Sequence, residues 1–298
     1  MENIDKLMRS FIVDLGEGDI VSLYDNISQQ GKKLRSKLIF EIAKTSRDAT
    51  KLAAIVEMIH AASLLHDDVI DDADTRRGEE SFNAKFGDKS AIMMGDILYS
   101  AAFSKLSEFP SAVAACVSNA VALLSAGELA DVKLSEFFNT DKNRYMEMIY
   151  RKTASLIEAS AYAAAVLEGF EGRDFGIYGK NLGLAFQIID DILDITSNDK
   201  TLGKPALHDF KEGKMTLPYL YMYEACEEKE KKYMTTLYKK SLNSYEKDWI
   251  KNKMKEYGVI MRCIKEARNL GGEALGAIEK YNMDGLKNII RQMVERDF

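Results

Sequence analysis

Apolar residues recur at helical spacing along almost the whole chain, over about 51–70, 89–107, 111–134, 141–168, 174–195, 216–240 and 245–256. The breaks between these windows carry turn chemistry. Gly87-Asp88 precedes one helix, Asn139-Thr140-Asp141 can cap another, and Gly169 to Gly172 ends a third. Few segments alternate as strands do, and no Ser- or Gly-rich linker divides the chain. The pattern predicts an all-α helix bundle forming a single domain over residues 1–298. One segment differs: Thr196 to Met215 holds Gly203, Pro205 and Gly213 among several charges, and it predicts a mobile loop between helices.

Composition sharpens this picture. There are 3 prolines in 298 residues, where an average chain has roughly one in twenty, so long helices can run uninterrupted. A hydrophobic content of 46% supports a substantial core and argues against disorder. The 47 acidic against 41 basic residues, a net charge of −6, disfavour a nucleic-acid binder. Cys116, Cys226 and Cys263 are odd in number and far apart, which fits neither a disulfide framework nor a zinc site, so a reducing cytoplasm is expected. Residues 1–10 do not resemble a signal peptide. The longest uncharged stretch, Phe109 to Gly127, is interrupted by Pro110, Ser118, Asn119 and Ser125. It reads as a central helix surrounded by others, and no transmembrane segment is expected.

One pattern recurs. Asp67-Asp68-Val69-Ile70-Asp71 returns as Asp190-Asp191-Ile192-Leu193-Asp194, each copy closing an apolar run. Residues four apart share a helix face, so Asp67 sits with Asp71 and Asp190 with Asp194. Carboxylates this close repel, and burial would add a desolvation penalty. A hard cation such as Mg²⁺, completed by water and phosphate oxygens, offsets both. A solvated acidic helix end is the alternative reading of either cluster alone; two copies of one pattern argue against it.

Positive charge lies beside the acids. Arg76-Arg77 follows the first cluster, and Lys204 and Lys214 follow the second; Lys32 with Arg35 and Lys152-Thr153 are further candidates for phosphate oxygens. His60 stands seven residues before Asp67, two turns back on nearly the same face. Glu57-Met58-Ile59-His60 also fits the Glu-x-x-His pattern of di-iron bundles, but Ser63 and Pro205 stand three residues before His66 and His208, so the pattern has no second copy.

In this order the residues resemble the trans-type polyprenyl diphosphate synthases, the long-chain, octaprenyl diphosphate synthase-like members included. The resemblance runs from the Gly31-to-Arg35 segment through Ile59–His66, the first aspartate motif with Arg76-Arg77-Gly78, Lys152-Thr153-Ala154 and Phe186–Asp191. It ends with Leu202-Gly203-Lys204-Pro205 and Lys214-Met215-Thr216-Leu217-Pro218. The motifs occupy 31–218, with 219–298 as C-terminal helices of the same domain. Gln30 and Ser36 depart from the family's usual glycine and proline, Lys32 and not Lys33 keeps the spacing to Arg35, and Ala206-Leu207-His208-Asp209 departs from the small residues common there.

The resemblance implies an isoprenoid-synthase-type bundle around a deep central cavity, forming a cytoplasmic homodimer. It implies a Mg²⁺-dependent prenyltransferase that condenses isopentenyl diphosphate head-to-tail with an allylic primer such as farnesyl diphosphate, with three ions per site. Asp67, Asp68, Asp71, Asp190 and Asp194 would serve the metal; with Asp191, Lys152 and Lys204 they form the expected catalytic set. Arg76, Lys152, Thr153, Gln187, Lys204 and Lys214 would hold the allylic diphosphate. Lys32, Arg35, His60 and Arg77 would hold isopentenyl diphosphate. Residues 196–215 would act as a lid excluding water from an allylic cation.

In short-chain members, aromatic residues commonly stand four or five positions before the first aspartate; here Ser63 and Ala62 do. That implies a product of roughly six to ten isoprene units, octaprenyl diphosphate first among them, destined for a quinone side chain. A helical wheel places Ser63 about 40° from Asp67 and Ala62 about 140° away. Small residues serving helix packing alone are the alternative account of these positions. The remaining functional readings are a farnesyl or geranylgeranyl diphosphate synthase, a class I terpene cyclase and a non-catalytic partner subunit.

Overall fold

A computed structural model describes residues 2–27, 31, 33–76, 78–196 and 207–294; Lys32, Arg77, Lys204 and the rest of 197–206 lie outside them. The helices in chain order are α1 (Glu2–Val13), α2 (Gly18–Tyr24), α3 (Leu34–Ile42), α4 (Ala49–Ile70), α5 (Phe82–Phe86), α6 (Asp88–Leu106), α7 (Ser111–Ser135) and α8 (Lys142–Ile149). A π-helical turn, Tyr150–Ala154, joins α8 to α9 (Ser155–Glu168). There follow α10 (Gly172–Thr196), α11 (His208–Lys211), α12 (Leu217–Ala225), α13 (Glu228–Leu237), α14 (Ser244–Glu256), α15 (Val259–Ile278) and α16 (Asp284–Val294). Among the described residues the strands are β1 (Thr75–Arg76) and β2 (Glu79–Glu80), a two-stranded antiparallel hairpin turning at Gly78, whose φ is +80°. The fold is all-α, as the periodicity predicts.

Most helix boundaries fall within two or three residues of the apolar windows. Asp141 caps α8 by accepting from the Asn143 and Arg144 amides, so the Asn139-Thr140-Asp141 signal is a true start. Two windows divide. The 141–168 window is interrupted by the π turn. The 216–240 window breaks at Cys226-Glu227, because Glu227 and Glu230 form a capping box that starts α13. The expected loop is also partly folded: Leu207, Phe210 and Met215 are buried, and Phe210 stacks on Tyr219 with ring centroids 4.7 Å apart. That apolar anchoring turns 208–211 into a helical turn.

The chain forms two compact units, residues up to 122 with 156–176, and residues 123–155 with 177 onward. In the first, α4 packs on α6, α3 and α1, burying Leu52, Ile55, Val56, Met58 and Ile59 against side chains such as Leu98, Leu38 and Ile4. In the second, one apolar cluster joins Tyr145 and Ile149 to Ile188, Ile189 and Ile192 and to Phe210, Tyr219, Met222, Met254 and Cys263. Each acidic motif closes a helix belonging to one of these cores, Asp67–Asp71 at the end of α4 and Asp190–Asp194 at the end of α10.

Helix α7 corrects one expectation. It is long and apolar enough to cross a membrane, yet it is not surrounded by other helices: Leu129 and Val132 are exposed while Val113, Val117 and Leu124 are buried. Its charged residues Glu128 and Asp131 lie on the buried side, ion-paired to Lys152, an arrangement suited to a protein interior rather than to lipid.

Candidate active site

Both aspartate motifs sit at the C-terminal ends of helices, where backbone carbonyls already concentrate negative potential, and neither α4 nor α10 has a basic residue in its last turn. Local helix energetics therefore oppose both clusters, and cations from elsewhere must offset them.

In the first unit the five-residue motif divides by environment. Asp67 is partly exposed and Asp71, the C-cap of α4, is exposed, whereas Asp68 is buried. Asp68 receives the Arg76 guanidinium at 2.7 Å, delivered by the β1–β2 hairpin that folds back after the helix. Burial pushes the Asp68 carboxyl above the usual range and Arg76 pulls it down. The two more exposed carboxylates are thus the pair on one helix face, and Asp68 and Arg76 hold each other.

About three turns earlier on α4, buried Glu57 accepts from the Ser36 hydroxyl at 2.6 Å and the Ser36 amide at 3.2 Å. Ser36 lies in the first turn of α3, so Glu57 satisfies one of that helix's unpaired amides from outside. This contact accounts for Glu57 without iron, which removes the structural basis for the di-iron reading. Neighbouring Arg35 is lowered by burial and raised by the Glu57 charge. Lys33 pairs with Asp5 of α1. Ser63 is buried, with its hydroxyl bonded to the His60 carbonyl at 2.9 Å; Ala62 is fully buried, and His60 is partly exposed.

In the second unit, Lys152, Thr153, Gln187 and Lys214 line one cavity of about 140 Å³ together with Asp191. Sequence analysis assigned the first four to the allylic diphosphate, and the structure brings them together. Thr153 donates to Gln187 at 2.9 Å, Gln187 donates to Asp191 at 3.0 Å, and the Tyr145 hydroxyl donates to the other Asp191 oxygen. Burial and the charge of Asp209 push the Asp191 carboxyl well up, while the Tyr145 and Gln187 donors pull it down. Asp191 therefore orients the cavity wall. Partly exposed Asp190 and buried Asp194 differ from it; Asp194 accepts from the Asp209 amide at 3.3 Å.

Lys152 and Thr153 project from the π turn, which two glycines allow to sit deep. A Cβ on Gly127 of α7 would meet the Lys152 amide nitrogen at 2.3 Å, and one on Gly183 of α10 would meet the Ala154 Cα at 2.6 Å. Single-turn π bulges occur frequently at functional sites. Lys214 lies 3.0 Å from Glu212, which also takes His208 at 2.7 Å; burial would raise the Glu212 carboxyl, but these two partners bring it down to about 2. A pattern follows. Arg76, Lys152 and Lys214 each rest on a carboxylate, so the cations are positioned before any phosphate reaches them.

The donor set fits magnesium by its chemistry. Paired carboxylates are hard oxygen ligands, and among the described residues no three His, Cys, Asp or Glu side chains converge as a ready-made metal cage. Mg²⁺ usually takes one or two carboxylates and fills the remaining positions with water and substrate phosphate, so a pair at a helix end suits it. The cavity wall also includes Tyr145, Asp131, Asp209 and Thr216, with Glu128 and the two glycines outside the lining, and none of these is among the site residues expected from the sequence. Only the Glu128-Asp131 spacing inside an apolar helix was a usable signal.

Paired carboxylates at the ends of α4 and α10, and within the second unit a cavity of basic and amide side chains, suit the handling of diphosphates with divalent metal. Residues 20–254, well over half of the chain, match the polyprenyl synthetase family model. Octaprenyl pyrophosphate synthase from Helicobacter pylori superposes with a TM-score of 0.94 at 42% identity, covering 99% of this chain and 98% of that one. Short chain isoprenyl diphosphate synthase from Methanothermobacter thermautotrophicus is 35% identical over 249 residues, 79% of this chain and 77% of the relative. A polyprenyl synthase from Caulobacter crescentus, solved with calcium and isoprenyl diphosphate, gives a TM-score of 0.90 at 28% identity over 99% of this chain and 94% of that one. The chain belongs to the polyprenyl synthetase family, whose members are Mg²⁺-dependent prenyltransferases.

Proposed function

We propose that this chain condenses isopentenyl diphosphate head-to-tail with an allylic diphosphate to make a long-chain all-trans polyprenyl diphosphate, octaprenyl diphosphate first among the candidates. The observation that carries this reading is the convergence of Lys152, Thr153, Gln187 and Lys214 on one cavity whose wall includes Asp191 of the second acidic motif. Lys152 and Lys214 meet diphosphate oxygens as point charges, and Thr153 and Gln187 orient them by hydrogen bonds. Arg76 and Lys204 belong to the same allylic set; Lys32, Arg35, His60 and Arg77 serve isopentenyl diphosphate. Asp67, Asp71, Asp190 and Asp194, with Asp68 assisting, would hold Mg²⁺, three ions in all, which would supply charge neutralisation for the departing diphosphate.

The allylic C–O bond breaks with its electron pair leaving on diphosphate, and the fixed charges of Lys152 and Lys214 are in place before that charge develops. The double bond of isopentenyl diphosphate attacks the resulting cation, a new C–C bond forms, and a proton passes to the departing diphosphate. No side-chain nucleophile is needed.

The Helicobacter structure is named for an octaprenyl product and the Methanothermobacter relative for a short chain. The absence of a bulky residue at Ala62 and Ser63 favours the longer product. The exposed apolar side chains Leu129 and Val132 on α7 support a homodimer. Incubation with farnesyl and isopentenyl diphosphates and Mg²⁺, followed by product mass, tests the reading. A C40 diphosphate is expected, and absence of elongation with farnesyl, geranyl and geranylgeranyl primers alike overturns it.

A further inference from the structure

Lys152 is engaged by two carboxylates at once. Its Nζ lies 2.8 Å from Glu128 Oε2 and 2.7 Å from Asp131 Oδ2. Glu128 and Asp131 are three apart on α7 and so share a helix face. Their side chains are 8% and 9% exposed, and Lys152 is 20% exposed. Two carboxylates thus engage one ammonium, in a setting where water screens charge little. The two acids differ in one respect: Asp131 lines the cavity with Lys152, Thr153, Gln187 and Lys214, and Glu128 does not. An entering diphosphate therefore meets an ammonium already occupied and a carboxylate of its own sign beside it.

We propose that Asp131 is a positioning residue that competes with diphosphate for Lys152 and so limits how tightly this cavity holds its anion. The inference rests on Lys152 being an allylic-diphosphate ligand. It adds a reason for an acid in an anion site: repeated elongation releases one inorganic diphosphate per condensation, and a cavity that held it too firmly would stall between additions. Glu128, behind the cavity wall, anchors the lysine stem; Asp131 sets the affinity.

The test uses the full-length enzyme with Mg²⁺ and inorganic diphosphate as the probe. Asp131→Asn is expected to tighten inhibition by inorganic diphosphate about tenfold and to lower the KM for farnesyl diphosphate, with kcat falling as release slows. A purely structural role for Asp131 would weaken binding instead. Glu128→Gln is expected to give a smaller gain, and in the Asp131→Asn, Lys152→Ala double variant the gain should vanish. Unchanged or weaker diphosphate inhibition in a folded Asp131→Asn enzyme overturns the proposal, as does an equal gain in Glu128→Gln. Asp131→Ser carries the same test if the asparagine variant does not fold. Lys152→Ala alone separates the two claims: if it leaves diphosphate inhibition intact, it is the assignment of Lys152 as a ligand that fails.

Discussion

Gly127 on α7 lies so close to the π turn that a Cβ there would stand 2.3 Å from the Lys152 amide nitrogen and 2.7 Å from the Arg151 carbonyl carbon. Backbone cannot swing aside as the end of a flexible side chain can. Gly127→Ala is therefore expected to displace the turn and to destabilise the protein by about 1–3 kcal/mol, the usual cost of overpacking. Because Lys152 and Thr153 ride on that turn, the KM for the allylic diphosphate should rise several-fold. Thermal melting and steady-state kinetics check both effects, and an alanine variant with wild-type melting and KM would show that the turn is not held by this contact.

Ser36 supplies two donors to buried Glu57, from its amide and its hydroxyl. Proline at this position would supply neither. Ser36→Pro is expected to destabilise this chain by about 1–3 kcal/mol, because a buried carboxylate loses its partners. Glu57→Gln keeps the acceptor oxygen but removes the charge that faces buried Arg35, and should cost at least as much. Denaturant titration of the two variants decides the order.

The helix pattern and both acidic motifs were legible in the sequence because they depend on local spacing and residue type; the four cavity residues Lys152, Thr153, Gln187 and Lys214 came together as a set only through the family resemblance. What was not legible depends on contacts far along the chain. Asp68 and Asp191 look like their neighbours in the motif, yet Asp68 is held by Arg76 and Asp191 by Tyr145, contacts that no local spacing announces. The π turn leaves the apolar period of 141–168 intact, so periodicity ran through it; its cause is the fit of Gly127 and Gly183 around it. Leu207 and Phe210 sit in a polar stretch with no period, and the packing of Phe210 against Tyr219 and Tyr238, with the Leu207 amide bonded to the Asp194 carbonyl, anchors them.

Glu212 predicts an acid limit to stability. Its carboxyl is held at about 2 despite burial, through His208 and Lys214. A folded-state value below the unfolded one contributes stability that is fully present above the unfolded value and lost as pH falls through the folded value. The loss should fall between roughly pH 4.5 and 2 and amount to about 1–2 kcal/mol once solvent screening of this partly exposed group is counted. Glu212→Gln should flatten that limb in urea titrations at successive pH values while leaving neutral-pH stability lower by a similar amount. An unchanged acid limb in the variant would place the pH dependence elsewhere.

Ser63 and Ala62 give the sharpest test of product length, because the structure assigns them different costs. Ala62 is fully buried in α4, so a phenylalanine there must displace packed neighbours; Ser63 is also buried, at 6% exposure, but lies about 40° from Asp67 on the helix. If the growing chain passes the Asp67 face of α4, Ser63→Phe shortens the product by roughly two or more isoprene units with a smaller fall in melting temperature than Ala62→Phe, each helical turn spanning about 5.4 Å. Ala62→Phe is expected to lower the melting temperature whatever it does to the product. Mass spectrometry of the products beside thermal melts separates a blocked cavity from a damaged core. Unchanged product length in both variants would mean that the chain grows along another helix face, and that the small residues at 62 and 63 serve packing alone.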